Sequence, residues 1–288
     1  MRGSDVVEVT PPAYDPWAKP KPTDPLEKPL LWSIEKDGTT DYILGTMHTG
    51  VDPQSRLPEI VWDKFDAAKT FAMETNLSEA GTLQIQRTDG TTLEQELGPE
   101  YWKKLQDALG VQQAARLRSY KAMIPATMLS LRGLPETMSM DRALYGRAID
   151  QKKAIVYLED VKLQGAVLEK WMDAKALKDM LDELDVGEQR AKDMLAAYIA
   201  GDGDRIEAIS DEERADFIRH GRTEKEYDEQ MEDILYKRNA SWIPTLETIH
   251  GGAFIAVGAM HLVGKRSVLE LLEQKGYKVT RLTPATSP

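Results

Sequence analysis

Tyr42-Ile43-Leu44-Gly45-Thr46-Met47-His48, near the start of the chain, and Phe254-Ile255-Ala256-Val257-Gly258-Ala259-Met260-His261, near its end, carry one signal twice: an apolar run closed by Gly-x-Met-His. Short runs rich in β-branched and aromatic residues, ended by Gly, read as buried strands. In open α/β sheets, ligands bind beyond the carboxyl ends of the strands, so two strand-end histidines from distant sequence can meet there. The Gly fits this placement, because it lets the backbone turn sharply or approach a ligand closely. His48 and His261 are therefore the first candidates for chemistry.

The intervening sequence supports a sheet interleaved with helices. Leu30 to Ile34, an Asp37-Gly38 turn and Tyr42 to Leu44 form a hairpin pattern. Further strands are expected at Thr70 to Met73, Ala154 to Leu158 and Tyr277 to Leu282. Residues 91 to 150 look helical in pieces, broken at Gly98-Pro99, Gly110, Pro125 and Gly133-Leu134-Pro135. A long amphipathic helix is expected through Leu168, Trp171, Met180 and Leu184, broken at Gly187. Another helix is expected around Ser267 to Gln274. Strands alternating with helices predict an α/β fold with a central mixed or mainly parallel sheet, flanked by helices and with a substantial helical portion.

Composition narrows the partners. The chain has 288 residues and a formal net charge of −11, which argues against nucleic acid and against an anionic membrane surface. It has no Cys, so disulfides, thiolate nucleophiles and Cys-ligated metals are excluded, and any metal must rest on His and carboxylates. The longest apolar stretch, Ala253 to Val263, is far shorter than the roughly 20 residues that cross a bilayer. Seven of the fifteen prolines precede residue 30, so residues 1–29 are expected to be an extended tether and residues 30–288 a single domain. Met1-Arg2-Gly3-Ser4 looks like an added start, with a natural export signal or lipid anchor removed. A membrane contact is expected only through such an anchor. The arrangement suits an extracytoplasmic protein, periplasmic or tethered as a lipoprotein, although a cytoplasmic protein with a floppy arm would look similar.

Carboxylates recur where strands end. Glu74 follows Phe71 to Met73 and Glu159 follows Ile155 to Leu158, so both can approach the two histidines at one sheet edge. Asn76 is either a further polar group of the site or the cap of the following segment. Between Glu224 and His250, Tyr227, Met231, Ile234, Leu235 and Trp242 form an apolar stripe that also carries Arg238. An arginine there needs a partner: a site carboxylate, a substrate carboxylate or a developing oxyanion. Pro244 within this pattern predicts a kink or a helix restart. His250 reads as a last-turn residue before Gly251-Gly252, and His220 as a polar loop residue; neither is assigned a role.

Leu31-Trp32, the first Gly-x-Met-His, Met73-Glu74, Leu158-Glu159 with Gln164, Tyr198 with Gly201-Asp202, Arg238-Asn239, and the second Gly-x-Met-His with Leu262 and Gly264 occur in an order that resembles the TraB/GumN family. That family includes the TIKI proteases and is similar to ChaN-like and erythromycin-esterase-like proteins. The resemblance spans nearly everything from residue 30 to 282 and implies a TIKI/EreA/ChaN-like fold. It also implies a site in which His48, His261 and Glu74 bind a divalent metal, with manganese or cobalt favoured and zinc or iron possible. Glu74 or Glu159 would be the base, with Arg238 and Asn76 supporting catalysis. The expected activity is hydrolysis of peptides or unfolded protein segments. A peptide-binding or haem-binding protein without turnover, and a metal-free hydrolase with one histidine as general base, are the alternatives.

Overall fold

In the computed structural model, residues 20–284 are described. A mixed six-stranded sheet forms the centre, with strand order β4-β3-β5-β2-β1-β6. Its members are β1 (Leu31–Lys36), β2 (Thr39–Thr46), β3 (Thr70–Met73), β4 (Ala154–Tyr157), β5 (Ala253–Gly258) and β6 (Lys278–Arg281). β4, β3, β5 and β2 are mutually parallel, while β1 pairs antiparallel with both β2 and β6. The α/β architecture is as expected.

β5 is the last of the four parallel strands in sequence, yet it inserts between β3 and β2, pairing Gly45 with Val257 and Thr46 with Gly258. The two Gly-x-Met-His copies therefore lie side by side at the carboxyl edge. Ala253 to Val257 are all buried, as a parallel strand covered on both faces must be. Glu74 follows β3, and the β3–β4 pairing continues through Leu158 N–H to Met73 O and Glu159 N–H to Glu74 O, both 2.9 Å. Both carboxylates thus reach the edge that carries the histidines.

Two apolar clusters organise the molecule. One surrounds the sheet, with Trp62, Phe65, Phe71, Tyr198, Trp242 and Phe254 at its heart. The other belongs to helices between Leu93 and Leu181, with Trp102, Leu105, Leu129 and Leu177 at its centre. This helical cap and the carboxyl edge share a cleft of about 490 Å³, to which the edge gives Met47 and His48, the cap Leu129 and Met180, and helix Gly203–Arg219 gives Phe217.

Several local expectations need correction. The long amphipathic helix is three helices, Val161–Trp171, Ala174–Asp182 and Leu184–Ala200. Asp173 starts the second by accepting a hydrogen bond from Ala176 N–H at 2.7 Å, a break that periodicity does not reveal. Gly187 lies inside Leu184–Ala200, where a Gly costs only about 1 kcal/mol relative to Ala. Pro125 sits in the first turn of Met123–Ser130, where its missing N–H is tolerated. The helix carrying Arg238 continues through Pro244; its irregularity lies upstream, in a π turn at Glu232–Tyr236. The expected tether also ends early. Leu26 is buried, and the Thr23 and Leu26 N–H groups bond to Ser55 O and Arg56 O, so part of 20–29 belongs to the domain. The remainder of the tether, 1–19, and the last four residues lie outside the described residues.

Candidate active site

The motif glycines sit at close approaches within the protein, where a Cβ would be crowded. A Cβ on Gly45 would lie 3.2 Å from both Ala259 Cα and Leu30 Cβ, and one on Gly258 would lie 3.3 Å from Glu74 Oε1. Gly258 thereby lets its own N–H bond to Glu74 Oε1 at 2.7 Å. The buried Tyr198 hydroxyl donates to Gly45 O at 2.7 Å and fixes the end of β2.

Arg238 is the hub of the buried half of the site. Its Nε donates to both Glu159 oxygens at 3.1 and 3.0 Å, and its Nη2 reaches Glu159 Oε1 and Glu74 Oε2, the latter at 2.7 Å. Its Nη1 donates to Ile234 O at 2.8 Å, within the π turn, and faces His261 Nε2 at 3.2 Å. A guanidinium has five N–H donors, and these contacts occupy all of them. Of the partners expected for Arg238, the site carboxylates are the ones present, and no donor is left over for an oxyanion. Gln164 completes Glu74 by donating to Oε2 at 2.9 Å.

His261 is 6% exposed and packs against Trp242, with ring centroids 4.5 Å apart and planes inclined at 46°. Its Nδ1 meets Asn239 Oδ1 at 2.6 Å, while Asn239 Nδ2 donates to Arg266 O at 2.9 Å. The second bond orients the amide, so His261 carries its proton on Nδ1 and presents a lone pair at Nε2 to Arg238. Burial drives the imidazole down to about 4, against the pull of Glu74. At neutral pH it is uncharged. Burial also opposes charge on Glu74, but a protonated His261, Arg238 and the Gly258 N–H outweigh it and hold the carboxyl at about 2. With His261 neutral, the anionic state of Glu74 rests on Arg238 and Gly258. At Glu159 burial prevails over its bonds to Arg238, and the carboxyl is raised.

His48 differs in every respect. Its side chain is 72% exposed and lines the cleft, and its Nδ1 lies 3.1 Å from Asp141 Oδ2. Asp141 sits in the first turn of helix Met140–Asp150, a favourable place for a carboxylate, and its Oδ1 accepts from Thr46 Oγ1 at 2.8 Å. The bond to Asp141 outweighs partial desolvation and raises the imidazole to about 9, although the wet cleft tempers that shift. No described group bonds to His48 Nε2.

Asn76 stands apart from this network. Its Oδ1 caps the turn Leu77–Thr82 by accepting from Ser78 N–H at 3.1 Å, and its Nδ2 donates to Glu79. Of its two expected roles, the cap is the one its hydrogen bonds serve. Asp141 was not singled out from sequence, and Asn239 was quoted beside Arg238 without a role. Asn239 had a signal, adjacency to Arg238; Asp141 had none, being 93 residues from His48.

Among the described residues, no three His, Cys, Asp or Glu side chains converge as a cation site. His261 Nε2 and Glu74 Oε1 are 3.7 Å apart, but a guanidinium contacts both residues, and both Glu74 oxygens already accept hydrogen bonds. A dication placed there would displace Arg238 or be repelled by it, so His48, His261 and Glu74 in this arrangement do not fit a bound divalent metal.

The model of the TraB/PrgY/gumN family matches residues 30–281. No curated protein and no solved structure matches the chain.

Proposed function

Because the chain belongs to the TraB/PrgY/gumN family, we propose that it is a hydrolase of peptides or unfolded protein segments, with His48 as its proton-transfer group. The observation that carries this reading is the His48–Asp141 pair, which holds Nδ1 and leaves Nε2 open to an apolar cleft. An aspartate that fixes one ring nitrogen sets the tautomer and orientation of the other, as general-base histidines require. In its neutral form, favoured in alkaline solution because Asp141 raises the imidazole to about 9, His48 Nε2 would accept a proton from the attacking water and return it to the departing amine. The cleft, at about 490 Å³, is of the size that encloses a drug-sized ligand or a short stretch of chain. The Glu74–Arg238–Glu159–His261 cluster would act from behind, holding the strand ends and a fixed charge distribution. An extracytoplasmic location remains part of the proposal.

Metal-assisted hydrolysis is the second reading. In its favour, His261 is kept neutral beside an ionised Glu74, the protonation states that ligands need. Manganese or cobalt would then supply an acidified water, provided Arg238 yields its contacts. Digestion of a mixed peptide library by wild type and His48→Ala, with EDTA and with manganese or cobalt restored, separates the readings. Cleavage that survives EDTA and is lost in the variant is the expected result. Cleavage abolished by EDTA and restored by either ion overturns the metal-free form and supports the second reading. No cleavage under any condition leaves a binding protein, and a haem titration followed by its visible absorption then tests for a porphyrin ligand.

A further inference from the structure

The wall of the cleft carries a carboxylate that the protein itself leaves unanswered. Its other acidic residues are paired: Asp179 with Lys175 at 3.0 Å, Glu183 with Arg219 at 3.0 Å, and Asp216 with Arg190. Glu213, on helix Gly203–Arg219, has no ion pair or hydrogen bond among the described residues, and the nearest cation acting on it, Arg190, is committed to Asp216. The cleft lining is otherwise largely apolar, with Met47, Leu129, Met172 and Met180, and its arginines, Arg190 and Arg222, are paired with Asp216 and Asp173.

We propose that Glu213 is a specificity residue of this cleft, accepting the ammonium or guanidinium of a lysine or arginine within an extended peptide whose apolar neighbours lie along the Met- and Leu-lined walls. This rests on the peptide reading above. Charge complementarity and the shape of the side chains support it. A Lys or Arg stem is aliphatic and lies well on apolar surface while its head reaches a carboxylate. An acidic residue at the same place meets repulsion and an unpaired charge, which makes the cleft selective as well as receptive. Glu213 is accessible from the open cleft, yet the walls strip away enough water to raise its carboxyl, and an incoming cation relieves that cost.

Fluorescence anisotropy with two labelled peptides, identical except for Lys or norleucine at one position between leucines, tests this in a His48→Ala background where turnover does not deplete the probe. The Lys peptide should bind at least roughly tenfold more tightly, as expected for a hydrogen bond between charged groups. Glu213→Gln should erase the difference, and Glu213→Lys should shift preference to a Glu-containing peptide. Thermal melts should show all variants folded, since Glu213 makes no ion pair or hydrogen bond among the described residues. Equal affinities, a preference that survives Glu213→Gln, or no binding by any peptide overturns the proposal. A preference that follows Glu213, in a protein whose wild type cleaves nothing, would keep this inference and remove the hydrolase reading.

Discussion

At the carboxyl edge of the sheet His48 meets Asp141, and at the amino edge His250 meets Asp41, but the two pairs leave their imidazoles in opposite situations. His48 is held by one nitrogen and open at the other. His250 is bound at both: Nδ1 to Asp41 Oδ2, and Nε2 to Lys36 O at 2.8 Å and to Thr39 Oγ1. Asp41 is also saturated, its Oδ1 taking the N–H groups of Gly251, Gly252 and Ala253 at 2.9, 2.6 and 2.7 Å. The same two residue types thus build a closed latch at one end of β2 and β5 and an unfinished pair at the other. A free valence at the edge where parallel strands end distinguishes a group that can react from one that only holds the chain.

The most severe way to break this contrast is His48→Ala. General acid–base catalysis contributes about 10²–10⁴-fold, so kcat/KM on a cleaved peptide should fall by that much. Stability in urea should move by less than about 0.5 kcal/mol, because an exposed side chain is removed. Unchanged turnover would place the chemistry elsewhere in the cleft. Arg238→Ala comes next. It strands Glu74 and Glu159 as buried, uncompensated carboxylates, and breaking such a network costs about 3–5 kcal/mol. Urea denaturation measures this, and a loss below about 1 kcal/mol would mean that water already screens the cluster.

The sequence displayed the sheet more openly than the site. Ala253 to Val257 and Phe71 to Met73 are unbroken apolar runs because parallel strands are covered on both faces, and that pattern is visible without coordinates. Arg238 also announced itself, as a charge on an apolar stripe. The two Gly-x-Met-His copies, however, look alike in sequence, and only their surroundings make His261 a buried neutral ring and His48 an exposed one. Asp141 was invisible because its contact with His48 depends on the cap helices returning the chain over the strand ends, which no local periodicity encodes. His250 was passed over for a related reason: its three partners, Lys36, Thr39 and Asp41, come from β1 and β2, more than two hundred residues away.

At the latch, the effect should be smaller and should appear in stability rather than in turnover. Burial lowers the His250 imidazole, but the Lys36 carbonyl and Asp41 outweigh it, so its value in the folded chain lies above the ordinary 6.5. The stabilisation from the charged ring is fully present below about 6.5 and is lost as the pH rises through the folded value. Hydrogen bonds to charged groups contribute about 1.5–3 kcal/mol, so His250→Gln should cost up to that amount at pH 6 and progressively less in alkaline solution. Peptide turnover per folded molecule should not change. A variant as pH-dependent as wild type would show that the latch does not titrate.

Asp141→Asn is the subtlest test and bears most directly on what makes the open pair reactive. The asparagine oxygen can still accept from His48 Nδ1, but its amide nitrogen cannot accept from the Thr46 hydroxyl, so orientation is partly kept while the negative charge is lost. The principal support for the value of about 9 goes with that charge, and the His48 imidazole should fall toward 6.5. If the neutral ring is the base, the acid limb of the kcat/KM profile must move down with it, so that the variant loses rate at alkaline pH but is relatively more active near neutrality. Following the His48 ring proton by NMR gives the same titration without turnover. A ring value that falls while the rate profile stays fixed would show that His48 binds substrate rather than moving protons, and the comparison between the two edges would then separate a binding group from a latch.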